Sequence, residues 1–421
     1  MLSTLRNAWK IPDLRKRLIY TMMMIVIFRL GATIPVPGID KVKLAELFTN
    51  SGDGLIGFFN LMSGGSFKNF TIFALGISPY ITASIIMNLL QIAIPSLEAL
   101  AKEGEVGRKK MARYTRYGTV VLALIQGFGF SVGIFRNAFV SPGTLSILVS
   151  VLTLTAGVAF LMYLGEKITE NGIGNGISLF IFAGIISRLP GGIISAITKL
   201  QTGDVSILNI LLFVIVAVMV IVAVIYIQEG KRKIPVQYAK RVIGRKMYGG
   251  QSTHIPLKVN QAGVIPVIFA MSLLMFPLTI AQFWPNSGFY FWTKNYMNTQ
   301  TILYNVLYAI LIIFFTYFYT SVTFNPIEVA TNMKQNGGYI PGIRPGRPTS
   351  DYLNRTLTRI TLAGALFLAA IAILPNIVLA TGSLQIAFGG TSLLIAVGVS
   401  LETTKQIEAQ MMMRHYKGFL G

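Results

Sequence analysis

Few residues in this chain are equipped for chemistry. Its 421 residues include no cysteine and only two histidines, His254 and His415, both in polar stretches. Thiolate nucleophiles, disulfides and Cys-ligated metals are therefore excluded. Fifteen carboxylates are present, but none falls in the middle of an apolar stretch. Carboxylates inside a membrane mark proton relays and ion sites, so this placement argues against a proton- or sodium-coupled pump. Gly129, Ser131 and Gly133 match the spacing GxSxG, yet they close an apolar run that has no strand-turn-helix pattern and no histidine nearby. That match is coincidence. GIGNGIS at 172–178 lacks the strand that precedes a phosphate loop, and a flexible start to an apolar helix explains it better. The chain contains neither GxxxxGK[ST] nor HExxH. No metal or cofactor is expected.

The remaining candidates are apolar. In GISPYITASII, Ile77, Ile81 and Ile85 recur at every fourth position, which places them on one face of a helix. Ile177 and Ile181 repeat the spacing in GISLFIFAG. On periodicity alone such stripes face lipid or pack against a neighbouring helix. Pro79 and Ser78 beside the first stripe suit a bent span. The run FFNLMSGG at 58–65 is harder to place. Phe58, Phe59, Leu61 and Met62 are too apolar for a solvated loop, and the run is far short of the ~20 residues that cross a bilayer. Gly64 and Gly65 end it. Arg29, in VIFRLGA, is the one charge inside an apolar window; it is expected to snorkel or to bond a backbone carbonyl in a structural role.

These residues must be positioned by membrane helices. The chain is 53% hydrophobic and 12% charged, with mean hydropathy +0.64, about half the charge of a typical soluble domain. Apolar windows near 18–36, 72–94, 117–135, 145–165, 176–196, 207–228, 261–284, 303–324, 359–380 and 384–401 predict ten spanning helices. An even number puts both termini on one side. Sorted by side, 28 basic residues fall on the face of the termini and 7 on the other, with Arg29 left inside. This asymmetry sets both termini in the cytoplasm and accounts for most of the +21 net charge without nucleic acid. The N-terminus has a basic-then-apolar profile without a convincing cleavage site, and is expected to be an uncleaved first span.

Two long segments on the basic side stand out. Residues 229–260 carry eight basic residues, and QYAKRV and RKMYGG alternate around Ile243–Gly244 as a short β-hairpin would. Residues 325–354 are rich in Gly and Pro. Connections between packed elements are usually short, so both imply a job, with binding of a cytoplasmic partner favoured over a merely solvated, lipid-facing charge run. The expected organisation is a basic N-terminus at 1–17, a five-helix half at 18–200 with the short apolar run at 55–65, a second five-helix half at 201–401, and a tail at 402–421. An inverted pair of halves is plausible from the topology, although no sequence match between them is evident.

Taken jointly, several stretches closely resemble the SecY/Sec61-alpha family of protein translocase channels, in its bacterial form. They are FFNLMSGGS, FALGISPYITASIIM, KEGEVGRKKMARYTRYGT, GEKITENGIGNGIS, YAKRVIGRKMYGGQSTHIPLKVNQAGVIPVIFA, FNPIEVATNMKQNGGYIPGIRPG and FGGTSLLI, and they extend over nearly the whole chain. The resemblance implies an all-α polytopic membrane protein with ten spans in two pseudo-symmetric halves around an hourglass pore. It implies a pore ring of Ile77, Ile81, Ile177, Ile181, Ile268 and Ile395. It also implies a re-entrant plug helix with Phe58, Phe59, Leu61 and Met62 toward the pore and Gly64 and Gly65 as its hinge. A lateral gate between the second and seventh spans would include Ser84, Ile85, Asn88, Asn260 and Phe276, with Asn88 standing where the family usually has glutamine. Arg245, Lys246 and Arg344 would dock the SecA ATPase or the ribosome.

The implied partners are the small membrane subunits SecE and SecG, SecA, the ribosome, secretory and membrane protein precursors with their signal sequences, and membrane lipids. The implied location is the bacterial plasma membrane, and the implied role is conduction without enzymatic activity of the chain's own. Two rivals make different demands. A secondary transporter needs polar groups at the bilayer midplane, and an insertase or scaffold needs no continuous pore.

Overall fold

The computed structural model describes residues 2–50, 60, 63–141, 143–203, 206–238, 241–243, 246–248, 252–281, 284, 287–298, 301–381 and 390–417. Each of the ten apolar windows overlaps a helix: Pro12–Gly31, Ser78–Ala93, Glu105–Gly133, Thr144–Asn171, Gly176–Ile186 continued by Leu189–Gln201, Ile207–Glu229, Ile265–Ala281, Ile302–Thr323, Arg347–Thr381 and Gly390–Lys417. By length and composition, five helices among the described residues suffice to cross a membrane, or six if one bent pair counts as a span. The shortfall has visible causes. Ser78–Ala93 has only 16 residues and meets Pro95–Lys102 at 102°. That corner falls where Pro95 forces Ile94 into an extended conformation, φ −113° and ψ 110°. Ile265–Ala281 has 17 residues, with Pro277 inside it, and Pro12–Gly31 carries Asp13, Arg15, Lys16, Arg17 and Arg29.

Polar side chains start the helices where the sequence turns from loop to apolar run. The Asn175 carboxamide oxygen accepts from the Ile177 and Ser178 amides, Asn325 does the same for Ile327 and Glu328, and Ser206, Ser287 and Thr301 cap three more helices. Glycines then allow close approach to the Thr144 helix, of the Gly176 helix at one point and of the turn before Ser78 at another. A Cβ on Gly176 would lie 2.0 Å from the Gly165 carbonyl oxygen, and one on Gly157 would lie 1.9 Å from that of Ile72. Only hydrogen fits at either position.

The helices pack as two groups. The Ser78 helix lies against the Glu105 helix, the Glu105 helix against the Thr144 helix, and the Thr144 helix against both Pro12–Gly31 and Gly176–Ile186. In the second group the Ile265 helix packs on Ile302–Thr323, which packs on the Arg347 helix, while Gly390–Lys417 touches the Ile207 and Arg347 helices. The groups meet where the Ser78 helix touches the Ile265 helix and where the Gly176 helix touches the Gly390 helix.

The long basic segments are not loose loops, and here the all-α expectation covers the apolar helices only. Strand β1 (Lys231–Tyr238) pairs antiparallel with β4 (Ser252–Lys258), Lys231 opposite Lys258 and Val236 opposite Thr253. On its other edge β1 pairs with β5 (Gly338–Tyr339), which comes from the second segment. The expected hairpin is present as β2 (Arg241–Ile243) and β3 (Lys246–Tyr248), with Ile243 opposite Lys246. Residues 325–354, expected as a Gly/Pro-rich loop, also contain the helix Pro326–Gln335. Ile234, Val236, Leu257, Met333, Ile340, Leu353 and Leu357 form a common apolar core beneath the three-stranded sheet.

Candidate functional site

The residues of the two isoleucine stripes fall in or against one large apolar cluster that draws on both helix groups. Ile77 precedes the Ser78 helix, its carbonyl accepting the Ile81 amide at 3.0 Å, so both side chains leave one face of the first turns. Ile177 and Ile181 follow the Asn175 cap on the Gly176 helix. Ile268 sits in the first turn of the Ile265 helix, its amide bonded to the Val264 carbonyl. Ile395 lies near the start of the Gly390 helix. Five of the six are buried, Ile395 at 1% exposure and Ile268 at 7%, and all belong to one hydrophobic cluster against which the half-buried Ile177 packs. The four helix starts are far apart in sequence, and each contributes at least one isoleucine.

The expected gate residues divide by helix. Ile85 is buried in the same cluster, whereas Ser84 and Asn88 are half-buried one stripe away on the Ser78 helix. Phe276 is 42% exposed on the Ile265 helix, the helix that packs against the Ser78 helix. Asn260 is buried ahead of that helix, its Nδ2 donating to the Gly263 carbonyl at 2.9 Å. Among the described residues its Oδ1 has no hydrogen-bond partner.

Of the short apolar run, Phe58, Phe59, Leu61 and Met62 lie outside the described residues. The turn at its C-terminal end is well defined. The Gly65 amide donates to the Asn60 carbonyl at 2.8 Å, and the Lys68 amide donates to Asn60 Oδ1 at 3.1 Å. Ser63 Oγ donates to the Asn60 carbonyl and accepts from the Phe67 amide. Gly64 and Gly65 both take positive φ, 63° and 94°, a region glycine enters without strain. Asn60 thus organises a closed turn, a role that the apolar reading of this stretch did not single out. Its position directly after a phenylalanine pair offered only the general affinity of asparagine for turns.

Arg29 donates from Nη1 to the Gly64 carbonyl at 3.0 Å, which matches the expectation of a backbone partner. Ser131, from the GxSxG match, is fully buried with its hydroxyl 3.0 Å from that of Ser150. It is a packing contact and has no nucleophilic geometry.

Of the docking candidates, Arg344 is exposed in the 341–346 turn, where its carbonyl accepts from Thr349 Oγ1 at 2.9 Å. Lys246 lies in β3 at the hairpin, and Arg245 lies outside the described residues. Lys231, Arg232, Lys233 and Lys258 are exposed on the neighbouring ladder, and the eight basic residues from Lys231 to Lys258 have no carboxylate among them.

Apolar helices of spanning length, packed in two groups around one large apolar cluster, define a multi-pass helical membrane protein. Comparison with known proteins agrees. The SecY family model matches residues 71–404. A protein translocase subunit SecY from Halalkalibacterium halodurans is 49% identical, with all of both chains covered. The SecY subunit of Thermotoga maritima is 43% identical, covering all of this chain and 98% of its own. Among solved structures, a protein-conducting channel aligns with a TM-score of 0.68 at 20% identity, covering 94% of this chain and 92% of its own. A SecY structure, described as having a plug domain that stabilises the closed state and maintains a membrane seal, aligns at 0.69 and 21% identity with the same coverage. The chain belongs to the SecY family.

Proposed function

We propose that this chain is the channel-forming subunit of a protein translocase, conducting unfolded polypeptides across a bacterial plasma membrane and releasing apolar segments sideways into lipid. The observation that supports this reading is that six isoleucines from four separate helix starts lie in or against one apolar cluster that draws on both helix groups. A purely apolar constriction excludes ions by dewetting. It also offers a passing backbone no hydrogen bonds, so the chain is not retained. Branched side chains from several helices can close around substrates of varied shape.

In this reading the segment 55–65 is the stopper of the idle channel, and the Ser78 and Ile265 helices, with Ser84, Ile85, Asn88, Asn260 and Phe276, are the lateral gate. Both termini lie in the cytoplasm, where the basic sheet and Arg344 receive either the SecA ATPase or the ribosome. SecE and SecG complete the complex. The chain supplies passage and its partners supply energy, so it is not itself an enzyme. The assignments of SecE, SecG and SecA rest on the family resemblance, and that of the ribosome draws further support from a solved structural neighbour, a canine Sec61 channel in a ribosome–channel complex.

The absence of cysteine makes a direct test clean. Cysteines placed singly at Ile81 and Ile268 should each crosslink a secretory chain stalled in transit. If neither position captures the stalled chain while both variants still translocate, the cluster is not the path.

A further inference from the structure

Arg29 is the one charge that the sequence leaves inside an apolar window, and the proposed path makes no use of it. We propose that Arg29 is a latch: it positions the turn after the short apolar run by holding the Gly64 carbonyl. The idea that this turn anchors a stopper rests on the functional reading above.

The base of the latch is rigid. Phe28, next to Arg29, is buried and lies 6.0 Å from Phe73 and 5.0 Å from Phe180, ring centre to ring centre. A Cβ on Gly31 would lie 2.1 Å from the Phe73 ring, so the end of the Pro12 helix is seated against both neighbours. From this seat the half-buried guanidinium reaches across to the Gly64 carbonyl. No ion pair of Arg29 occurs among the described residues. A charged donor held near apolar surroundings strengthens its bond to a neutral acceptor.

The receiving end is equally specific. Gly64 has φ +63°, and a Cβ there would come 2.7 Å from the Gly184 Cα and 3.3 Å from Arg29 Nη1. The glycine is therefore wedged between the Pro12 and Gly176 helices. Gly65, with φ +94°, has nothing within 4 Å of its hypothetical Cβ. The two adjacent glycines thus divide the work: Gly64 is clamped and Gly65 has room to turn. Asn60 ties the residues before the clamp to those after it through Gly65 and Lys68, so loss of the clamp frees the whole turn.

The reporter is Ser66, fully buried, whose Oγ has no hydrogen-bond partner among the described residues. In the complete complex carrying Ser66→Cys as its only cysteine, a water-soluble maleimide should react slowly. Adding Arg29→Gln should speed labelling roughly tenfold, the order expected when a hydrogen bond to a charged group is lost and local opening becomes easier. Arg29→Lys, which keeps a charged donor, should stay closer to the parent. Gly64→Ala should also speed labelling, and the double variant Arg29→Gln/Gly64→Ala should label no faster than the faster single variant, because both remove one contact. Unchanged labelling of Arg29→Gln, or fully additive effects, overturns the latch. Where Arg29→Gln does not assemble, parental labelling of Gly64→Ala overturns it. Ion leakage of the same variants in liposomes separates the two ideas. Faster labelling with rising leakage supports both, whereas faster labelling without leakage keeps the latch and removes the stopper.

Discussion

At the scale of single residues, what is missing is as informative as what is present. A site built for bond-making would show paired titratable groups. Here the candidate side chains are isoleucines in or against one apolar cluster, and the one hydroxyl that fits a catalytic spacing, Ser131, is spent on Ser150. The glycines carry the precision. Gly176 starts the helix that delivers Ile177 and Ile181, and its Cα lies against the Gly165 carbonyl. Gly176→Ala should destabilise the protein by about 1–3 kcal/mol, the usual cost of overpacking. A lowered thermal midpoint of the purified complex is the expected reading, and an unchanged midpoint would mean that the two helices separate freely. The isoleucine stripe was legible in the sequence as periodicity, but its burial was not. A period of four places side chains on one face without saying what that face meets, and lipid and protein reward the same residues there. That Ile268 and Ile395 share an apolar cluster with the first four could not be read from periodicity, since they lie on helices far away in sequence.

At the scale of elements, the helices were legible and their suitability as spans less so. Apolar windows predict ten helices, and each window does overlap one. Length fails as a guide where proline intervenes, as at the corner before Pro95 and inside the Ile265 helix. Patterning found the β2–β3 hairpin because its strands are adjacent. It missed the β1–β4 and β1–β5 ladders, whose partners are separated by intervening chain, since pairing over that distance is set by shared burial and leaves little local trace. The sheet rests on a core separate from the isoleucine cluster, shared with Leu353 and Leu357 at the start of the Arg347 helix, and this core can be tested by itself. Val236 in β1 is fully buried. Val236→Asp leaves a charge there without a partner, at a cost of several kcal/mol. Trypsin should then cut the lysine- and arginine-rich 229–260 segment much faster while the helical remainder stays intact. Cleavage at the parental rate would show that the sheet does not depend on that core.

At the scale of the whole molecule, charge and shape act together. Basic residues crowd the sheet, where Lys231, Arg232, Lys233 and Lys258 are exposed with no carboxylate between them in sequence, and their density creates a surface suited to acidic partners. Arg344→Glu should abolish SecA-driven translocation in vesicles while the complex remains assembled, and raised salt should weaken docking of the unaltered protein in the same direction. Full translocation by the variant would remove Arg344 from the interface. The sheet has a mechanical corollary as well. Because β5 is stitched to β1, the connection between the Ile207 and Ile265 helices and the connection between the Ile302 and Arg347 helices share one plate. A partner that grips either connection therefore grips four membrane helices at once. In the proposed channel, torque applied at this plate would reach the helices on either side of both connections, the Ile265 helix that touches the Ser78 helix among them.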